Sequence, residues 1–138
     1  MPANLVFLDT NGWLALMNAS DQLHQRADAL WRDLGDQGYS MALTDWVVAE
    51  TGNGLARTPV RERFATVAGS ILSDPRCRVI FVTPGLARRA LDLYRERTDK
   101  QWGLVDCASF LVMADEQITE AFTTDRHFEQ AGFKAMLL

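Results

Sequence analysis

Residues 6–16 read "VFLDTNGWLAL". An apolar run, Val6-Phe7-Leu8, stops at Asp9, and an apolar pattern of helical spacing begins at Trp13. A short strand that is apolar along its whole length is buried on both faces, as in a parallel sheet. A carboxylate at the mouth of such a strand has two readings. Asp9 caps the helix that follows it, or it is a ligand for a cation. The segment alone leaves both open, so the rest of the chain has to supply or deny it partners.

Moving outward, residues 4–8 read as that strand and 10–18 as a short helix. Ser20 and Asp21 are expected to cap a second helix, with Leu23, Ala27, Leu30, Trp31 and Leu34 on one stripe. Residues 40–43 read as a strand, followed by a helix over 45–56 capped by Thr44 or Asp45. Thr58-Pro59 and Thr83-Pro84 each give a cap followed by proline at the first helical position. They predict helices running to about residues 73 and 96. Between them, residues 77–82 form a strand rich in Val, Ile and Phe. A polar loop over 98–103 precedes an apolar helix at 104–117. A strand at 120–123, a short helix at 126–131 and a closing strand at 133–137 complete the chain. Strands alternating with helices predict an α/β fold of one domain over residues 1–138, with a mainly parallel central sheet of four to five strands flanked by helices. In such sheets ligands sit beyond the carboxyl ends of the strands, which is where Asp9 falls.

The chain of 138 residues suits one core. No apolar run approaches the length of a membrane span. Met1-Pro2-Ala3-Asn4 lacks the positive region of a signal peptide. Cys77 and Cys107 are far apart with no C-x-x-C, so reduced core thiols and a cytoplasmic location are expected. The net charge is −4, from 18 acids and 14 bases. This is unfavourable for a nucleic-acid binder unless the acids are gathered where cations neutralise them.

Three further acids adjoin apolar segments. Glu50 lies in "VVAET", Asp106 in "GLVDCASFLVMA" and Asp125 in "FTTDRHF". Asp9 and Asp125 follow predicted strands and point to one sheet edge, and helices starting at that edge bring Glu50 and Asp106 near it. Caps and first-turn acids explain each residue singly. Together, four carboxylates repel one another and call for a cation. Hard oxygen donors suit Mg²⁺ or Mn²⁺. There is no H-E-x-x-H, zinc spacing, Walker loop or G-x-S-x-G, and phosphodiester hydrolysis is the chemistry best suited to acids alone.

"FLDTNGW", "VVAET", "WGLVDCASF" and "FTTDRHF", in this order and with this α/β pattern between them, resemble the motifs of PIN-domain ribonucleases, most closely the VapC-like toxins of toxin–antitoxin pairs. The resemblance spans nearly the whole chain. It implies a divalent-metal-dependent endoribonuclease with Asp9, Glu50, Asp106 and Asp125 as the acidic quartet, leaving 5′-phosphate and 3′-hydroxyl ends. It implies supporting roles for Thr10, Asn11, Ser109 and Thr124, with Asn11 standing where many relatives carry Ser. It further implies a homodimer and a cognate antitoxin that occupies the active-site groove.

RNA contacts are expected from Arg57, Arg61, Arg63, Arg95, Arg97, Lys100 and Arg126, with Trp102 as a candidate stacking platform. His127 is expected to be a packing or surface residue, and His24 to face solvent. A catalytically silent PIN-like module that binds RNA or protein is the main alternative. Another metal-dependent phosphohydrolase ranks lower: an aspartate-nucleophile phosphatase needs a second Asp where Asn11 stands.

Overall fold

The computed structural model describes residues 4–138. The elements run β1 (Leu5–Leu8), α1 (Thr10–Met17), α2 (His24–Asp36), β2 (Ser40–Thr44), α3 (Asp45–Leu55), α4 (Arg61–Ser73), β3 (Cys77–Ile80), α5 (Pro84–Glu96), α6 (Leu104–Asp115), β4 (Glu120–Phe122), α7 (Arg126–Gln130) and β5 (Lys134–Ala135). The five strands form one parallel sheet in the order β3-β2-β1-β4-β5. The chain builds outward from β1 to β3, then crosses back to lay β4 on the other side of β1. The topological switch therefore lies between β1 and β4, and the crevice beyond their carboxyl ends is where such sheets bind ligands.

β1 lacks polar alternation because both its faces are covered. Phe7 meets Phe128 of α7, whose ring is stacked edge-on against Phe110 of α6. Leu8 is in register with Phe122, whose ring meets Trp31 of α2 edge-on. One face thus carries α6 and α7 and the other carries α2. Helix α1 enters the crevice so closely that Gly12 has no room for a side chain. A Cβ there would stand 2.1 Å from the carbonyl oxygen of Phe122.

Capping follows expectation at Thr44, which accepts from the Val47 N–H, and at Thr83, which accepts from the Leu86 N–H ahead of Pro84. Asp45 instead accepts from the Val82 N–H at 2.7 Å, tying down the end of β3. Two expected starts shift. Thr58 donates its hydroxyl to Leu55 O, closing α3 rather than opening α4, which begins at Arg61. Asp21 accepts from the Leu23 N–H in a turn, and α2 begins at His24. His24 is half-buried rather than solvent-facing, with Nδ1 2.9 Å from Ala15 O. Both cysteines are free; Cys107 is buried, and burial pushes its thiol up to about 11. Among the described residues no helix is long and apolar enough to cross a membrane.

Candidate active site

Asp9 occupies the N-cap position of α1 but makes no side-chain cap hydrogen bond there. Its carboxylate is used elsewhere. It is only 3% exposed, and Oδ2 accepts a 2.7 Å hydrogen bond from Thr123 Oγ1. Thr123 in turn accepts from the Asp125 N–H at 3.0 Å. One threonine at the end of β4 thus couples the first and last acids of the site. Burial pushes the Asp9 carboxyl up to about 7 from its ordinary 3.8, with repulsion from Asp106 and Asp125 adding to the rise. The bonds from Thr123 and the Thr10 backbone oppose it. Among the described residues no Lys or Arg comes within ion-pair distance of Asp9.

Asp106 sits in the first turn of α6 and reaches back to accept from the Gly103 N–H at 3.0 Å. Burial raises its pKa, repulsion from Asp125 adds to this, and the Gly103 and His127 contacts oppose it. Asp125 caps α7, accepting from the His127 N–H at 2.9 Å. His127 Nδ1 lies 3.2 Å from Asp106 Oδ2 and 3.4 Å from Asp125 Oδ1. The ligand atoms of Asp106, Asp125 and His127 all lie within 4.8 Å of one another. Three acids are therefore gathered at the β1/β4 crevice with one imidazole among them.

The other expected site residues are distributed as follows. Thr10 is buried, and its hydroxyl is hydrogen-bonded to that of Thr51 on α3 at 3.2 Å. Asn11 is exposed. Ser109, one turn after Asp106, is fully buried, and its hydroxyl has no hydrogen-bond partner among the described residues. The threonine bonded to Asp9 is Thr123, just past the end of β4, while Thr124, expected to support the site, is half-buried beside it. Glu50, expected near the shared sheet edge, is exposed. The buried stripe of α3 is Val47, Thr51 and Leu55, one and two turns apart, and Glu50 flanks it. It is not brought into the Asp106–Asp125–His127 group.

The basic residues divide. Arg97 pairs with Asp99, Arg95 stands 3.7 Å from Asp92, and Lys100 stands 3.9 Å from Asp99, so this stretch is locally neutralised. Arg57, Arg63 and Arg126 are exposed without an acidic partner among the described residues, and exposed Arg61 donates to Ala56 O. Trp102 is not a stacking platform. It is 7% exposed, packs edge-on against Phe110, donates Nε1–H to Gln130 Oε1 and carries Arg97 over its ring. His127 at the cluster and Thr123 beneath Asp9 were missed. The signal for Thr123 was a hydroxyl closing an apolar strand directly before "TD"; a single histidine in a five-residue helix offers no periodic signal.

Replacing Thr123 by Val tests the coupling. The isostere removes the donor to Asp9 and strands the Asp125 N–H, which should cost about 1–3 kcal/mol. Because the lost bond holds the Asp9 carboxyl down, its pKa should climb further and the metal-free variant should lose more stability between pH 6 and 8 than the parent. Thermal melts at the two pH values check this.

Comparison with known proteins agrees with this geometry. The PIN domain family model matches residues 6–134. The chain is 32% identical over 129 residues to the 23S rRNA-specific endonuclease VapC20 of Mycobacterium tuberculosis, in both strain CDC 1551 / Oshkosh and strain ATCC 25618 / H37Rv, covering 94% of this chain and 95% of the relative. It also superposes on the crystal structure of M. tuberculosis VapC20, described as a sarcin–ricin loop cleaving toxin, with a TM-score of 0.82 at 31% identity over 93% of this chain and 95% of that one. With a five-stranded parallel sheet, acids converging at its switch point and relatives that match nearly end to end, the chain belongs to the PIN-domain family.

Proposed function

We propose that the protein is a divalent-metal-dependent endoribonuclease, the toxin of a toxin–antitoxin pair, acting on ribosomal RNA. The observation that carries this reading is the buried Asp9 carboxylate beside Asp106 and Asp125, without a cationic side chain among the described residues to neutralise it. A buried charge of that kind persists only with a compensating partner. The donor set, carboxylate oxygens with one imidazole, fits a hydrated Mg²⁺ or Mn²⁺.

Asp9, Asp106 and Asp125 would hold the ion, and Glu50, free on the flank of α3, would swing in as the fourth acid. A bound ion supplies a water of lowered pKa and stabilises charge on the phosphoryl group. The protein's own part is preorganisation. Thr123 fixes Asp9, the Gly103 N–H fixes Asp106, and the His127 N–H fixes Asp125, so the carboxylates do not reorient when RNA arrives. The acids repel phosphate until neutralised, and Arg126 beside Asp125 is placed to draw the backbone in. A cognate antitoxin would compete by inserting a basic side chain among the acids. Exposed Phe81, Leu91 and Tyr94 offer apolar area for a homodimer. With such a substrate the protein would act in the cytoplasm.

Incubating the purified protein with ribosomes or 23S rRNA should give discrete cuts with Mg²⁺ or Mn²⁺ and none in excess EDTA, with activity restored on adding metal back. Undiminished cutting in EDTA would refute the metal mechanism. Binding without cutting in any divalent ion would select the silent module.

The groove's basic residues follow from the ion-pair pattern. Arg126→Glu should weaken RNA binding and flatten its salt dependence by about one unit of slope, whereas reversing Arg97, already committed to Asp99, should do much less. Titrations at several salt concentrations separate the two.

A further inference from the structure

His127 brings a nitrogen donor into a site otherwise made of oxygen. In octahedral coordination with bonds of roughly 2.0–2.2 Å, neighbouring donors stand roughly 3 Å apart. Nδ1 lies 3.2 Å from Asp106 Oδ2 and 3.4 Å from Asp125 Oδ1, so the nitrogen stands at close to such an edge length from each carboxylate oxygen, and all three atoms lie within 4.8 Å of one another. The ring is held there rather than free. The His127 backbone donates to Asp125, the next residue, Phe128, is fully buried against Phe7 and Phe110, and the imidazole follows at the start of α7.

We propose that His127 Nδ1 ligates the same cation as Asp106 and Asp125, so that the site takes Mn²⁺ in preference to Mg²⁺. The inference rests on the metal reading of the cluster given above. Against an ionised carboxylate Nδ1 can only donate, so ligation requires the other tautomer. With the ion in place, the neutral ring carries its proton on Nε2, and the Nδ1 lone pair faces the metal. Mg²⁺ favours oxygen donors and gives up its waters reluctantly, whereas first-row ions from Mn²⁺ onward accept imidazole more readily. The competing role for His127 is a hydrogen-bonding plug that metal must displace. That role predicts the opposite sign, since removing a plug tightens metal binding.

The test uses the tag-free, metal-free full chain. Calorimetric titration with MnCl₂ and MgCl₂ gives the affinities, and pulsed EPR of the Mn²⁺-loaded protein carrying ¹⁵N-histidine reads nitrogen ligation directly. The chain has two histidines, and His24 is engaged with Ala15 O, so His24→Asn is the control. Wild type and His24→Asn should show histidine ¹⁵N coupling to Mn²⁺, and His127→Gln should lose it. The same substitution should weaken Mn²⁺ by about tenfold or more and Mg²⁺ by less than about threefold. Circular dichroism confirms that each variant is folded. Bound Mn²⁺ without ¹⁵N coupling in the wild type, or tighter Mn²⁺ binding by His127→Gln, overturns the role given to His127 while leaving the metal site standing. Failure of the wild type to bind either ion overturns the metal site itself.

Discussion

Asp9→Asn should abolish RNA cleavage and, in the same protein, stabilise the metal-free fold. The substitution keeps the shape and the hydrogen bond from Thr123 but removes the buried charge. The sign follows from the titration. The native Asp9 carboxyl is pushed up to about 7, against about 3.8 when the chain is unfolded. Between those values the native state binds more protons than the unfolded state, so stability falls as pH rises through this window and stays low above it. The gap corresponds to about 4 kcal/mol at most, and a part of that should be recovered by Asn at pH 8. At pH 4 the two proteins should melt together. Added Mn²⁺ should raise the melting temperature of the wild type and leave that of the variant nearly unmoved. A metal-free Asp9→Asn that melts lower than wild type at pH 8 would assign Asp9 a purely structural role.

Gly12→Ala should be among the most damaging single changes in the protein, although alanine is the better helix former by about 1 kcal/mol. The new methyl would meet the Phe122 carbonyl oxygen at 2.1 Å and its carbonyl carbon at 2.8 Å, and backbone in a central strand cannot step aside as a flexible side chain can. Overpacking usually costs about 1–3 kcal/mol, and a clash with main chain belongs at or beyond the top of that range. Against a total stability of about 5–15 kcal/mol, denaturant melts should show a severe loss. Gly54→Ala, where the nearest atom is a Leu14 methyl at 3.6 Å, should be benign by comparison and serves as the control.

The fold was legible because its signals are local and repeated. Continuous apolar runs gave the buried strands, Thr83-Pro84 gave α5, and the period of 3.6 gave the helices. Asp9 and Asp125 could be placed at one edge because a parallel sheet sends every strand end the same way. Where reasoning fell short, the deciding fact was a contact between distant segments or a choice of face. Glu50 sits on the flank of the α3 stripe, and a shift of one residue, to Thr51, separates exposed from buried. Thr123 reaches Asp9 because the pairing of Leu8 with Phe122 brings the next residues of the two segments together, and no local signal announces that pairing. Thr58 had two helices to serve, and nothing local said that it would close the earlier one. Arg97 and Lys100 looked like free cations until Asp99, in the same loop, claimed them.

The hydrogen bond from Thr123 to Asp9 joins residues 114 positions apart. During translation, at roughly 5–20 residues per second, about 6–23 s separate the synthesis of the two partners. Until β4 is made, β1 lacks its central neighbour, and Asp106 and Asp125 have no frame that brings them to Asp9. A nascent fragment can therefore hold β1, β2 and β3 in order and still have no site. If the proposed ribosomal RNA substrate holds, this strand order keeps the site unassembled until the ribosome making the chain has nearly finished.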